Sequence, residues 1–260
     1  MSIRVSTWNI SNGISAKWSL VEGVKKEEYT KKAGFIYEII DFIKNEDIDV
    51  IGMQEIVTSS TKYDSHVKLI AENTDLKYYI DHETCDAHLI EYSRSGNAIL
   101  SKYPIIEFEK ILYTNPYLKV KSKTGKIYTT FDKSTIVAKI DHPDGQFYFI
   151  TSHGHPYTRF NSTDIENKEI VREIYTIAEE YSIKGFPIIL GMDSNIYNMK
   201  DVIPEFFDKY IDILKEPSRK DGRKTDNIII KTNKLREINT YTINDTKSDH
   251  FLCISDVEII

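Results

Sequence analysis

Ser248-Asp249-His250 stands directly before the apolar run Phe251-Leu252-Cys253-Ile254, and Thr7-Trp8-Asn9 closes the apolar stretch that opens the chain. Three more polar clusters follow strand-like runs in the same way: Gln54-Glu55, Ser152-His153 and Asp193-Ser194-Asn195. Carboxylates, amides and imidazoles at the ends of several strands predict one site assembled from distant segments. Hard oxygen donors mixed with imidazole suit a hard divalent cation and a phosphate better than a soft metal.

Working outward, the chain reads as many strands with a few helices among them. Strands are expected over residues 3–7, 49–53, 98–100, 127–131, 135–140, 147–151, 187–190, 227–230, 240–243 and 251–257. The strands at 127–131 and 135–140 look like neighbours. Ile36, Ile39, Ile40 and Ile43 recur at helical spacing, which predicts a helix over about 27–45. A second helix carries Ile170, Ile174, Ile177 and Tyr181, with Thr163 as N-cap and Glu166 completing a capping box. Strands outnumber helices and often follow one another directly, so the sheets should be mixed or mainly antiparallel. Nothing resembles a linker, a repeat or a low-complexity tract. One domain over 1–260, with two packed sheets and outer helices, fits the count.

Composition narrows the function classes. A formal net charge of −6 argues against a general basic coat for nucleic acid, although a local groove is still possible. Two cysteines, Cys85 and Cys253, are too few for a disulfide framework and read as reduced, mostly buried thiols. No apolar run approaches the ~20 residues of a membrane span. The opening residues look like a strand, not a secretory leader. A cytoplasmic protein is expected, or a secreted one if an export signal preceded this sequence. No obligate protein partner is evident.

Each polar position also has a plainer reading. Glu55 could be a solvated loop acid, or an oxygen ligand for Mg²⁺ or Mn²⁺. Asp193 and Asn195 could form an ordinary turn. As chemistry, the acid would orient or deprotonate a water and the amide would donate to a phosphate oxygen. The Asp249-His250 pair offers an imidazolium for the phosphate and a carboxylate for the metal or water. Asp226, before Ile228-Ile229-Ile230, could hold an imidazole in position. His153 is the expected site residue of the Ser152-His153-Gly154-His155 segment, and His155 reads as loop. Lys119, Lys121, Lys123 and Lys126, and the cluster Arg219, Lys220, Arg223 and Lys224, are solvated charge or the border of a polyanion site. Tyr157, Arg159 and Phe160 could stack on a base, cover a lipid headgroup or simply pack.

In order along the chain, these motifs are Thr-Trp-Asn, Gln-Glu, Gly-Asn-Ala-Ile-Leu-Ser-Lys-Tyr-Pro-Ile, Ser-His, Gly-Met-Asp-Ser-Asn, Thr-Asp-Asn-Ile and Ser-Asp-His. The series resembles the endonuclease/exonuclease/phosphatase superfamily across essentially the whole chain. That resemblance implies an α/β fold: a four-layer α/β sandwich of two facing mixed β-sheets flanked by helices. It implies Glu55 as principal metal ligand, with Asp249 near the metal and Asn9 contacting the metal site or the phosphate. It implies Asp193 activating the water, Asn195 holding the phosphate, His250 donating to a non-bridging oxygen, and Asp226 steadying His250. His153 would touch the phosphate or the leaving group. The implied cofactor is Mg²⁺ (or Mn²⁺). The implied substrate is a phosphodiester, first of all nucleic acid, with a small-molecule or lipid-headgroup phosphoester as the alternative.

Two local departures stand out. Family members usually read Gly-Asp-x-Asn where Met192 intervenes here, and Thr-His-Leu where this chain has Ser-His-Gly-His. Asp193 and Asn195 still keep a spacing that would place both on one side of an extended segment. The Trp- and Arg-rich signature of inositol-polyphosphate phosphatases is missing, which disfavours that branch. A non-catalytic binding module on the same scaffold would predict substitutions at Glu55, Asp193 or His250, and there are none.

Overall fold

The computed structural model describes residues 2–15, 34–62, 64–87 and 89–260. The first half of the helix expected over 27–45 lies partly outside them. Its described part is α1 (Ile36–Asn45). In chain order the strands are β1 (Ile3–Asn9), β2 (Val50–Ser60), β3 (Tyr78–Asp86), β4 (Ser93–Ser101), β5 (Ile105–Leu112), β6 (Lys119–Lys121) and β7 (Ile127–Thr129). They continue as β8 (Ser134–His142), β9 (Gly145–His153), β10 (Ile188–Asp193), β11 (Tyr210–Asp212), β12 (Asp226–Lys231), β13 (Leu235–Ile243) and β14 (Leu252–Ile259). Helix α2 (His66–Asn73) precedes β3, and α3 (Lys168–Ser182) precedes β10.

Two six-stranded sheets face each other, in the orders β13-β14-β1-β2-β4-β3 and β11-β12-β10-β9-β8-β5. Each is mixed. One central pair is parallel, β1 with β2 and β9 with β10, and the other pairs are antiparallel. Period-two alternation sorts the side chains into layers. Ile3, Val5, Val50, Phe147, Phe149, Ile189, Ile228 and Cys253 fill the space between the sheets. Trp8, Ile51, Met53 and Leu252 point the other way, onto Ile39 and Ile43 of α1 and Ile70 of α2. Tyr148, Ile150, Ile188 and Leu190 meet Ile174 and Ile177 of α3. The result is a four-layer α/β sandwich.

The sheets come closest beneath the polar strand ends. A Cβ on Gly52 would lie 2.5 Å from Thr151 Oγ1 and 2.8 Å from Thr151 Cβ. Gln54 Nε2 donates to Thr7 Oγ1 at 3.1 Å and across the gap to Thr151 Oγ1 at 2.9 Å; Thr151 in turn donates to the Gly191 carbonyl at 2.9 Å. Gly52→Ala overpacks this seam and is expected to lower unfolding stability by about 1–3 kcal/mol, measured by denaturant titration.

Three expectations change. The strand at 127–129 does not neighbour β8. It pairs with β6 in a separate hairpin, and Phe131 lies beyond it. The capping box forms, with Thr163 N donating to Glu166 at 2.9 Å and Glu166 N to Thr163 Oγ1 at 3.2 Å, but it closes a turn ahead of the helix. Helix α3 starts only at Lys168, with Asn167 at its N-cap. Finally, β10 ends at Asp193, and Asn195 (φ 56°) lies in a turn, not on an extended segment.

Candidate active site

Strand register builds the floor of the site. Asp193 pairs across β10 with His153 of β9 and with Asp226 of β12, so three functional side chains share one row. In the facing sheet, Asn9 ends β1 beside Gln54. Inward-pointing parity carries over from the core. Ile189, Gly191 and Asp193 alternate to the inside, while Met192 turns outward into the α3 layer. The inserted methionine therefore leaves the carboxylate on the inner face.

Asp193 is the hub. Asn9 Nδ2 donates to its Oδ2 at 2.9 Å, and the Asn195 backbone N–H donates to its Oδ1 at 2.9 Å. Asn195 also donates its amide to the Gly154 carbonyl at 3.1 Å. A Cβ on Gly154 would meet the Ser194 carbonyl oxygen at 2.3 Å, so this close turn needs glycine. Burial raises the Asp193 carboxyl above its ordinary range, Asp226 adds to this, and His250 opposes it.

His250 is placed by its neighbours. Ser248 Oγ donates to the Asn9 carbonyl at 2.8 Å and accepts from His250 N at 3.2 Å. The indole of Trp8 and the hydroxyl of Thr246 donate to the His250 carbonyl at 3.3 and 2.9 Å. Nδ1 faces the Asp226 carboxylate at 2.8 and 3.1 Å, which fixes the ring and turns Nε2 toward Asp193, 3.7 Å away. Burial disfavours the charged ring, yet Asp226 and Asp193 outweigh it and hold the group up at about 9.

Glu55 sits at a bulge in β2, where the register shifts between Met53 and Ile56 and φ is 51°. The bulge re-aims its carboxylate toward the site. Asn9 Nδ2 approaches Glu55 Oε1 at 3.3 Å, and His153 Nε2 lies 3.8 Å from it. Asn12, itself at φ 55°, donates to the Glu55 carbonyl at 2.9 Å and to Ser95 Oγ at 2.8 Å.

Two cations complete a row: Lys133, which the sequence reading did not single out, and Arg219, from the cluster read as solvated charge or the border of a polyanion site. Arg219 Nη1 lies 2.6 Å from His250 Nε2, and Nη2 donates to Asp249 Oδ2 at 2.6 Å. On the far side of Asp193, His153 Nε2 is 3.6 Å from its carboxylate, and Lys133 Nζ lies 3.0 and 3.1 Å from the two His153 ring nitrogens. Burial, reinforced by Lys133, pushes His153 well below its ordinary value. The sequence Arg219–His250–Asp193–His153–Lys133 thus lies across the base of one cavity of about 460 Å³. Glu55, Asn9, Asn195 and Asp249 line it too, and its upper walls include Leu89, Val120, Tyr128, Phe131, Pro156 and Phe160.

All the expected site residues therefore come together: Asn9, Glu55, His153, Asp193, Asn195 and His250, with Asp249 on the wall and Asp226 behind the imidazole. His155 is buried and faces the Thr114 carbonyl at 3.2 Å, away from this row. Tyr157 packs in the core, whereas Arg159 and Phe160 reach the cavity wall. In the basic cluster near Asp226, Arg223 pairs with Asp221, Lys224 pairs with Asp212, Lys220 donates to the Thr246 carbonyl, and Arg219 lines the cavity.

The donor chemistry fits a hard divalent cation. Asp193, Asp226 and His250 offer ligand atoms within 4.8 Å of one another, but the contact between His250 Nδ1 and Asp226 occupies that group internally. Glu55 and Asp249 supply carboxylate oxygens on the cavity side, which suits Mg²⁺ or Mn²⁺ better.

Comparison with known proteins agrees with this picture. A family model described as the Endonuclease/Exonuclease/phosphatase family matches residues 6–182. Asp193, Asp226 and His250 lie beyond that segment, and the fold brings them to it. No curated protein matches the chain. Among solved structures, an endonuclease/exonuclease/phosphatase from Beutenbergia cavernae is similar at 17% identity and a TM-score of 0.73, covering 99% of this chain and 72% of that one. The human nocturnin catalytic domain with bound sulfate is similar at 14% identity and a TM-score of 0.70, covering 100% and 94%. A mannosyl-6-phosphatase from Bacteroides thetaiotaomicron is similar at 16% identity and a TM-score of 0.61, covering 100% of both chains.

Proposed function

Because the chain belongs to the endonuclease/exonuclease/phosphatase family, whose members hydrolyse phosphoester bonds, we propose that it is a divalent-metal-dependent phosphoester hydrolase. The observation that carries this reading is the hub at Asp193. One buried carboxylate meets an amide and two imidazoles at the floor of a single cavity.

Asp193, its affinity for a proton raised by burial, accepts the proton of the attacking water and directs its oxygen in line at phosphorus. Asn9 holds Asp193 and Glu55 at one working distance. His250, fixed by Asp226, presents Nε2 to a non-bridging oxygen as charge builds there. Asn195 would offer its amide to the phosphate, and His153 would touch the phosphate or the leaving group. Glu55 and Asp249 would hold the cation. A bound Mg²⁺ or Mn²⁺ would supply Lewis-acid stabilisation of the phosphoryl oxygens.

The sequence placed nucleic acid first among substrates. The walled cavity supports a compact phosphoester instead. Arg159 and Phe160 on the wall favour, as a second reading, a nucleic-acid end whose base stacks there. The test is hydrolysis of p-nitrophenyl phosphate, bis-p-nitrophenyl phosphate and plasmid DNA with Mg²⁺, Mn²⁺ or EDTA. Metal-dependent turnover abolished by EDTA is expected. Inactivity on all three, with metal present, would count against the hydrolase reading. Efficient plasmid cleavage would restore the nucleic-acid order.

A further inference from the structure

Resting on the hydrolase reading, we propose that Arg219 and Lys133 bind the substrate phosphate from opposite sides. Together they read its second negative charge, so that the site takes terminal phosphomonoesters in preference to internal diesters.

Arg219 is not placed as a surface charge. It is only 7% exposed, yet its guanidinium opens onto the cavity. One arm is well used, with Nη2 on the Asp249 carboxylate. The other arm, Nη1, lies 2.6 Å from the His250 Nε2 nitrogen and, among the described residues, meets no carboxylate or carbonyl oxygen. Its Nε, also buried, makes no hydrogen bond among the described residues and lies 3.6 Å from Asp221 Oδ2. A buried arginine with a purely structural role would use its planar fork on acceptors that hold it permanently. Here Nη1 gains when an anionic oxygen replaces the imidazole contact, because the guanidinium fork matches phosphate oxygens in both charge and geometry.

Lys133 mirrors this arrangement. It precedes β8 and places Nζ on the His153 ring, on the other side of Asp193 from Arg219. A phosphate seated over Asp193 and Glu55 therefore meets one cation from each side. A diester has two free oxygens sharing one charge. A monoester has three, and above its second pKa of about 6 it carries close to two charges. The extra oxygen and charge give the second cation its partner. Shape favours the same choice. The cavity is walled by the β6–β7 hairpin and by Phe131 and Phe160. It admits an end group more readily than a chain that must leave on both sides.

The test compares wild type, Arg219→Gln, Arg219→Lys and Lys133→Gln on p-nitrophenyl phosphate and bis-p-nitrophenyl phosphate at pH 8 with Mn²⁺. Thermal melts check that each variant is folded. Wild type should prefer the monoester. Arg219→Gln and Lys133→Gln should each lower monoester kcat/KM at least tenfold more than diester kcat/KM, and Arg219→Lys should recover part of the loss. A 5′-phosphorylated oligonucleotide and glucose 6-phosphate, assayed for phosphate release, tell a nucleic-acid end from a small-molecule monoester. A wild-type preference for the diester, or equal losses on both esters, would overturn the proposal. Should wild type turn over none of these esters nor plasmid DNA, the hydrolase reading fails, and calorimetric titration with inorganic phosphate and dimethyl phosphate decides the binding claim by itself. Tighter binding of inorganic phosphate, weakened about tenfold by Arg219→Gln, supports it. Indistinguishable binding of the two anions overturns it.

Discussion

Asp193→Asn is expected to lower kcat by about 10²–10⁴-fold with little change in melting temperature, since positioned proton transfer contributes on that scale. The amide is nearly isosteric and can keep the contact with the Asn195 N–H. It cannot accept a proton from water, and it presents a donor where Asn9 also donates. Burial, with Asp226 alongside, raises the affinity of this carboxyl for a proton, the direction a base working near neutral pH requires. Single-turnover kinetics of the variant beside wild type make the measurement. Wild-type turnover in Asp193→Asn would mean that another group activates the water.

Glu55→Ala is the second large effect. Its carboxylate is re-aimed into the cavity by the β2 bulge and supported by Asn9 and by the backbone contact from Asn12. Removing it should cost at least a hundredfold in activity at low millimolar Mn²⁺ and raise the Mn²⁺ concentration needed for half-maximal activity. Isothermal titration with Mn²⁺ reads the binding loss directly. If Mn²⁺ affinity is unchanged while activity falls, Glu55 acts on substrate or water, and the cation belongs elsewhere in the cavity.

Much of this was legible because the site is built at strand ends. Asn9, His153 and Asp193 each close an apolar run whose alternation reveals both the strand and the face its last residue shares. Asp226 and His250 stand at the start of such runs. Lys133 and Arg219 carry no comparable mark. Lys133 sits in Phe131-Asp132-Lys133-Ser134, and Arg219 begins a run of charges, so neither local pattern distinguishes a cation in a cavity wall from one in water. Their positions depend on long-range packing: Arg219 meets His250 through an isolated bridge between segments distant in sequence. Strands β3 and β5 escaped for a related reason. Both are edge strands, β5 largely exposed and β3 exposed or half-buried along its length, so the contrast between faces that betrays a strand is faint. Asn195 was misplaced because a left-handed residue ends β10 earlier than spacing alone indicates.

The pairing of β1 with β14 also has a kinetic consequence. Arg4 and Asp256, which bond at 2.8 Å, are 252 positions apart, and β1 lies in the middle of its sheet. Until β14 arrives, β1 has an unsatisfied edge and Asn9 lacks the Ser248 hydroxyl on its carbonyl. Closing so long a loop is slow, because its entropy must be lost before the contacts that reward it can form. During synthesis the nascent chain therefore presents a sticky half-sheet and no working centre. Competence arrives only when the last strand docks.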